Sequence, residues 1–279
     1  MIKGQQIDSG DDSTNIQGKD IVFIQNNGMT YSDVKEISMD VFKKNFYDLG
    51  QTIENIINER AEKILDKYLQ KINAINPKLL QNTEEPDIRY NIYEVQKSHA
   101  RRGDENIANL LVEMLVERTK DKDKSLKNLV LNEAMDVVPK LTSRQIDILS
   151  LIFLIRYIRY TGLTPIQNYI MVLIVIKGDI NVTSDDMFYT HLQYSGCLSV
   201  SIGAIDFESA MEHKFPQIND KNKVNDMINS FEILRLLKPM WNNSKLCNSS
   251  LTSVGMAIAI NNIQIKTGQK FDINIFIHE

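Results

Sequence analysis

The fold of this chain is decided by residues 141–177, LTSRQIDILSLIFLIRYIRYTGLTPIQNYIMVLIVIK. No other part of the 279-residue chain is as apolar over such a length, and Gly162 and Pro165 divide it into two segments of helical length. The first segment is apolar almost all round, which indicates a helix enclosed by other helices. We therefore expect this hairpin to form the buried centre of the protein.

Capping residues mark the helix starts in this stretch. Thr142 is followed three residues later by Gln145, which is the spacing of a capping box. Thr164 and Gln167 repeat the device around Pro165, a residue that suits the first position of a helix. Two helix starts are therefore predicted within one short segment.

The hairpin is too interrupted to span a membrane. Arg156, Arg159, Gly162 and Pro165 break residues 146–176 into runs shorter than the roughly 18 apolar residues that a spanning helix requires. We expect neither a membrane span nor a membrane partner. Damage to a membrane by exposure of the 146–176 hairpin stays open as an alternative.

The leader, residues 1–29, differs from the rest of the chain. It is rich in Gly, Asp, Asn and Ser, and a short β-favouring run at Ile21–Ile24 precedes the turn-forming Asn26-Asn27-Gly28. A strand of this size is marginal alone in water, so it would pair with another part of the chain or with the same segment of a second copy. The alternative is a disordered tail.

A long helix is predicted after the leader, because apolar residues recur at helical spacing from Thr30 to Lys71. A continuous helix of about 40 residues would be about 60 Å long. Such a helix would pack against a second chain or bend at Gly50. We therefore expect a homo-oligomer. The predicted oligomerisation residues are Asp11, Ser13, Asn15, Ile16, Ile21, Phe23, Val34, Val41 and Arg60.

The remaining pattern is mostly helical and indicates a mainly α protein. We expect a multi-helix bundle around a buried apolar hairpin, with a short N-terminal β segment and a small C-terminal α+β portion. A strand in residues 196–205 is expected to pair with a terminal strand, residues 271–277. The predicted divisions are 1–29, 30–195 and 196–279, and further helices are predicted at 87–100, 105–119, 125–138 and 224–237.

Composition limits the partners and the compartment. The formal net charge is -4, so the chain has no overall basic field and nucleic acid is not expected as a partner. Cys197 and Cys247 are far apart and read as reduced thiols of a cytoplasmic protein, and the N-terminus lacks the apolar run of a signal peptide. His191, Cys197 and His213 have irregular spacing, so we expect no metal and no cofactor.

Recognisable catalytic motifs are missing from the sequence. It has no phosphate-binding Gly-rich loop ending in Gly-Lys-Ser/Thr, no Gly-x-Ser-x-Gly and no metalloprotease spacing of His and Glu. This favours a binding or assembly protein over an enzyme. Possible contacts for an anion or ligand are His99, Arg101, Arg102, Arg156 and Arg159.

Several segments resemble an uncharacterised family of bacterial proteins whose N-termini read Gly-Asp-Asn-Ser-Thr-Asn-Ile-Gln. The chain departs from that pattern at Asp12, where Asn is commoner, and the resemblance covers about the first 160 residues. It brings no catalytic residues with it. Similar leaders occur on bacterial proteins linked to conflict with phages, so the resemblance implies a role in defence. The matching segments are GDDSTNIQGKDI (10–21), YSDV (31–34), RGDE (102–105), LNEA (131–134) and PKLT (139–142).

These observations predict a cytoplasmic, oligomeric sensor, scaffold or effector in anti-phage defence, with a phage or defence-system protein as a possible partner. The alternative is an enzyme, such as a nuclease or a nucleotide-acting enzyme, that uses polar residues including His99, Arg101, Arg102, Asp104 and Arg156.

Overall fold

A computed structural model describes residues 28–45, 51–160, 165–180, 182, 186–218 and 220–277. The predicted fold class is confirmed, because the described chain consists of α-helices with short 3₁₀ segments and a two-stranded sheet. The helices are α1 Tyr31–Asn45, α2 Gln51–Ile75, α3 Pro86–Arg102, α4 Glu105–Thr119, α5 Leu126–Val137, α6 Ser143–Arg156, α7 Ile166–Lys177, α8 Asp186–Tyr194, α9 Phe207–Lys214, α10 Lys221–Ser230, α11 Glu232–Asn242 and α12 Ser253–Thr267.

The predicted helix from Thr30 to Lys71 is not continuous: α1 and α2 are separate helices, and α1 folds back against α2. Gly50, the predicted position of a bend, lies outside the described residues. The Tyr31 hydroxyl donates to Oδ1 of Asp66 at 2.8 Å, and Nζ of Lys35 lies 2.9 Å from Glu62 and 3.0 Å from Asp66. These contacts join the start of α1 to the second half of α2, so the two helices run antiparallel. Part of the apolar stripe that suggested a second chain is buried, including Val34, Ile64 and Tyr68, whereas Ile53 and Ile56 are 49% and 45% exposed.

The helices of the middle region agree with the sequence. The predicted segments 87–100, 105–119 and 125–138 are confirmed within two residues as α3, α4 and α5. Gly103 ends α3 in the left-handed region, with φ of 64°, and Asp104 caps the start of α4 through its side chain. Ser125 caps α5 in the same way. Local signals therefore predict these boundaries well.

The buried centre is formed by α6 with α12, and α7 covers only part of it. Residues 145–155 of α6 are all buried, and among the described elements its most extensive contact is with α12. The capping box of Thr142 and Gln145 is confirmed. By contrast, Met171, Ile174 and Val175 of α7 are exposed, so the predicted hairpin contributes one central helix and one outer helix. Thr164 lies outside the described residues.

One apolar core runs across the predicted boundary at residue 196. Helix α12 belongs to the C-terminal portion by sequence, but it contacts α4, α5, α6 and α7. Its buried side chains join the same cluster as those of α4 and α6. The parts of the chain before and after residue 196 therefore share one core.

The sheet pairs different segments from those predicted. Strand β1, Leu198–Val200, runs antiparallel to β2, Ser249–Leu251, with Ser199 opposite Ser250. The terminal segment expected to be its partner instead contains a 3₁₀ turn at Ile273–Ile275. Oδ1 of Asp272 accepts hydrogen bonds from the backbone amide and the side-chain Nδ2 of Asn274, and these bonds stabilise that turn in competition with an extended strand.

Two further features of the C-terminal half bear on its shape. The predicted helix 224–237 is two helices, α10 and α11, because the backbone becomes extended at Phe231. Helix α11 continues through Pro239 to Asn242.

None of the helices that the structure describes is long and apolar enough to cross a membrane.

Candidate functional site

The cleft that best fits a functional site lies between α3, the end of α5 and the 3₁₀ helix Val138–Lys140. It has a volume of about 550 Å³ and includes Arg101 and Arg102, two residues predicted to contact an anion. Gly103 ends α3 directly after these arginines, so their side chains project from the last turn of the helix toward the end of α5. The helix dipole also favours cationic groups at this terminus.

One face of α3 supplies a row of polar side chains to the cleft. Tyr90, Glu94, Lys97 and Arg101 follow one another at intervals of four, three and four residues, which places them along one side of a helix. The eleven steps along the helix from Tyr90 to Arg101 span about 16 Å. The cleft therefore has an aromatic end, an acidic middle and a basic end.

The acidic middle consists of Glu94 and Asp136. The walls of the cleft partly desolvate Asp136 and the charge of Glu94 repels it, and these effects raise the pKa of the Asp136 carboxyl. Glu94 is held by Lys97, whose Nζ lies 3.0 Å from Oε1. The charge of Glu94 also raises the pKa of the Tyr90 hydroxyl. Asp136 is therefore the carboxyl in this cleft that holds a proton at a higher pH than usual.

The basic end contains one structural arginine and two open cations. Nη1 of Arg102 donates to the carbonyl of Leu141 at 2.9 Å and also to the carbonyl of Pro139, so Arg102 fixes the segment that follows α5. Arg101 and Lys140 are exposed, and among the described residues they form no hydrogen bond or ion pair. These two side chains are free to bind an anionic group such as a phosphate or carboxylate.

His99 faces away from this cleft although it lies only two residues before Arg101 on α3. Its imidazole is 3% exposed, and Nε2 lies 4.0 Å from Oε1 of Glu105 on the side of α2 and α4. Burial lowers the pKa of His99, and the charges of Lys67 and Lys63 lower it further. The structure therefore does not bring His99 together with Arg101 and Arg102.

Arg156 and Arg159 lie at the end of α6, in another part of the fold. Nη1 of Arg156 donates to the carbonyl oxygen of Ser249, so this arginine supports the outer edge of β2. The Tyr157 hydroxyl accepts a hydrogen bond from the Leu251 amide at 2.8 Å and supports the same edge. Arg159 is exposed. These arginines form no common site with Arg101.

Three of the predicted oligomerisation residues, Val34, Val41 and Arg60, lie among the described residues. Val34 is 2% exposed and has almost no surface left for a second copy, while Val41 is half-buried. Nη1 of Arg60 donates to the carbonyl of Ala100 at 3.2 Å, which satisfies a group at the end of α3. The other six, Asp11, Ser13, Asn15, Ile16, Ile21 and Phe23, lie outside the described residues.

The sequence analysis missed the five other charged or aromatic residues that line the cleft. Four-and-three spacing along α3 was a usable signal for Tyr90, Glu94 and Lys97, because it places them on the face of Arg101. No local signal points to Asp136 and Lys140, since only the packing of α5 beside α3 brings them to this cleft.

No metal centre is evident in the part of the chain that the structure describes, where no group of three or more His, Cys, Asp and Glu side chains could hold an ion. Of the residues considered as metal ligands, His191 contacts Gln145, with 2.9 Å between His191 Nδ1 and Gln145 Nε2. Burial raises the pKa of the Cys197 thiol to about 12, which disfavours the thiolate that a metal would bind.

Comparison with known proteins gives a family but no activity. No curated protein and no solved structure matches the chain. A family model described as “:-like” matches residues 28–238 and 210–277, and that description states no substrate, reaction or partner. The match begins at residue 28, so it does not include the leader segment 10–21. Because the two matched segments together cover most of the chain, the protein belongs to this family.

Proposed function

We propose that this protein is a cytoplasmic bacterial sensor or scaffold in antiviral defence, and that its α3–α5 cleft binds an anion-bearing small molecule. The observation that supports this proposal is the pair of open cations, Arg101 and Lys140, at one end of a cleft formed by α3, α5 and the 3₁₀ helix Val138–Lys140. Because neither cation has a partner among the described residues, an anion can bind both without displacing an existing ion pair there. The exposed ring of Tyr90 at the far end suits a flat or apolar group on the same ligand.

Self-association is part of the proposal. The leader, through residues 8–28, is proposed to join copies of the chain, and a phage or defence-system protein is the proposed partner of the assembly. Deletion of residues 1–29 should lower the mass in solution, measured by light scattering after size exclusion. An unchanged mass would overturn this part of the proposal and leave the cleft untouched.

The cleft is tested with defined probes and with infection. Pyrophosphate and ATP should raise the melting temperature of the purified protein, and the double variant Arg101→Gln, Lys140→Gln should lose that rise. In a bacterial host challenged with phage, the unaltered protein should reduce plaque number and the double variant should not. The matched control is Lys177→Gln, Lys221→Gln, which removes two charges from outside the cleft. Equal protection by both double variants would contradict a role for the cleft.

An enzyme is the second candidate, and Asp136 is the observation that favours it. A carboxyl with a raised pKa beside a second carboxyl is a common arrangement for a general acid. Purified protein should then convert RNA, DNA or a nucleotide under at least one metal condition, and Asp136→Asn should abolish the conversion. Intact substrates under all conditions would leave the binding function as the better account.

A further inference from the structure

A second concave surface shares no lining residue with the α3–α5 cleft. This groove, of about 830 Å³, is bounded by α2, α4 and the C-terminal end of α12. Its apolar lining includes Ala74, Ile75, Val112 and Ile265, and the side chains of Ile75 and Ile265 are 52% and 37% exposed. Apolar surface is therefore available to a ligand along the groove.

Lysines dominate the charge of the groove. Four lysines line it, against the single carboxylate of Glu113. Glu113 is occupied, because it binds Nζ of Lys71 and accepts a hydrogen bond from Gln264 at 2.6 Å. The four lysines are Lys67, Lys71, Lys120 and Lys270.

The outer lysines differ in how they are paired. Lys67 and Lys120 form exposed ion pairs, with Glu105 and Glu117 respectively, each at 2.5 Å. Such pairs exchange partners at little cost, since exposed ion pairs contribute little to stability. Lys270 has no hydrogen bond or ion pair within the described part of the chain. The groove therefore fits an acidic segment with an apolar portion.

The leader contains both an acidic segment and an apolar run. Residues 8–27, DSGDDSTNIQGKDIVFIQNN, contain four acidic residues and one lysine, which mirrors the four lysines and one glutamate of the groove. Directly after Asp20 comes the apolar run Ile21–Ile24. This run matches the exposed Ile75 and Ile265 in chemical character.

The leader also enters the described structure close to the groove. A Cβ at Gly28 would lie 2.6 Å from Nε2 of Gln81, so residue 28 is in contact with the 3₁₀ helix Pro77–Glu84. In that helix, Asn82 donates to the carbonyl of Thr119 at 2.8 Å, and the next residue, Lys120, lines the groove. From Gly28, eight residues of extended chain reach about 26 Å.

We propose that residues 8–27 of the leader bind in this lysine-lined groove of their own chain. The run Ile21–Ile24 covers Ile75 and Ile265, and the aspartates bind the lysines. The own chain is favoured over a second copy because the tether gives the leader a high effective concentration at the groove. The inference rests on the proposed function in one respect, that the leader also joins copies: a leader held in the groove is withheld from a second copy.

Direct binding is tested with a fluorescent synthetic peptide of residues 8–27 and a chain that lacks residues 1–27. Anisotropy should show saturable binding that weakens as salt is raised, since the charge contribution is screened. A peptide with Asp11, Asp12 and Asp20 changed to Asn should bind at least about tenfold more weakly. Equal binding of both peptides, or no binding, would overturn the proposal.

Whether the peptide binds in this groove is tested with matched variants of the same truncated chain. Lys120→Glu, Lys270→Glu should abolish peptide binding, whereas Lys221→Glu, Lys223→Glu makes the same charge change on the exposed surface of α10 and should leave binding unchanged. Circular dichroism establishes that both variants are folded. Loss of binding in both, or in neither, would place the leader elsewhere.

The own-chain arrangement is tested by acylating surface lysines of the full chain and of the truncated chain, with mass spectrometry as the readout. Lys270 and Lys120 should react more slowly in the full chain, to the same extent at all protein concentrations. Slower reaction that appears only at high concentration would mean that a second copy supplies the leader. Equal rates at every concentration would rule out occupancy of the groove. The mass measurement that tests self-association is independent of these rates.

Discussion

The backbone of Gly255, in the first turn of α12, packs directly against the carbonyl oxygen of Cys197. A Cβ at residue 255 would lie 1.9 Å from that oxygen. The same carbonyl accepts a hydrogen bond from the Thr252 amide at 3.1 Å, and the Thr252 hydroxyl donates to the carbonyl of Gly196. The start of α12 is therefore held against the chain that leads into β1, and only glycine fits at this contact.

Substitution Gly255→Ala should destabilise the protein strongly, because the methyl group meets backbone atoms that cannot move aside without breaking the Thr252 hydrogen bond. We expect a loss of about 3 kcal/mol or more in the free energy of unfolding, measured by urea denaturation. Gly203→Ala is the control, since a Cβ there would meet nothing within 4 Å. Similar losses in the two variants would show that close packing is not the cause.

Replacement of Arg118 by alanine should cost about 3 kcal/mol. The Arg118 side chain is 2% exposed and donates to Asp87 at 2.7 Å, to Asn132 at 3.1 Å and to the carbonyl of Asp121 at 2.7 Å. Its loss leaves three acceptors without this donor. Lys120→Ala removes an exposed ion pair with Glu117 and should cost less than about 1 kcal/mol. Chemical denaturation of both variants provides the comparison.

The stability of the protein should rise between pH 7 and pH 9 because of Lys214. This side chain is 2% exposed and donates to the carbonyls of Leu154 and Ile158, the latter at 2.6 Å. Burial lowers its pKa from 10.5 to about 7. Above pH 7 the unfolded chain therefore binds one more proton than the folded chain, and the free energy of unfolding increases by up to about 1.4 kcal/mol per pH unit.

The variant Lys214→Met should remove this rise, as measured by denaturation at several pH values. The window ends at pH 9 because Cys197 has the opposite effect above it. Burial raises the pKa of that thiol from 9.0 to about 12, so ionisation of the unfolded chain lowers stability there. An unchanged slope in Lys214→Met would contradict the assignment to Lys214.

Anion binding in the α3–α5 cleft should respond in opposite directions to changes in its two kinds of charge. Asp136→Asn removes a repulsive carboxylate and should tighten binding of pyrophosphate by about three- to tenfold at neutral pH, and Lys140→Gln should weaken it by a similar factor, each about 1 kcal/mol. Isothermal titration at constant ionic strength measures both. Changes of the same sign would be inconsistent with an anion site beside Asp136.

Local sequence signals predicted much of the middle of the chain. Helix α4 begins and ends where expected, and the capping box of Thr142 and Gln145 starts α6 as its spacing indicates. Gly103 and Gly268 end their helices in the left-handed conformation. These features depend on hydrogen bonds within a few residues, so the local sequence contains the information that specifies them.

The sequence indicated only some of the residues that line the candidate cleft. Arg101 and Arg102 were identified, and the helical spacing of Tyr90 and Glu94 could have been used. Asp136 enters the cleft only because α5 packs beside α3, and His99 leaves it because its face of α3 turns toward α2 and α4. Neither fact follows from nearby residues.

By itself, the sequence determined which segments become helices and where most of them stop, because capping and periodicity act over one or two turns. Only the tertiary structure decided which helices are neighbours. It reversed α1 against α2, paired β1 with β2, and placed α12 rather than α7 as the main partner of α6. The reason is that long-range pairing depends on the fit of surfaces more than 50 residues apart in the chain, such as Gly255 against Cys197 and Asn262 against Asp147, for which no local pattern exists.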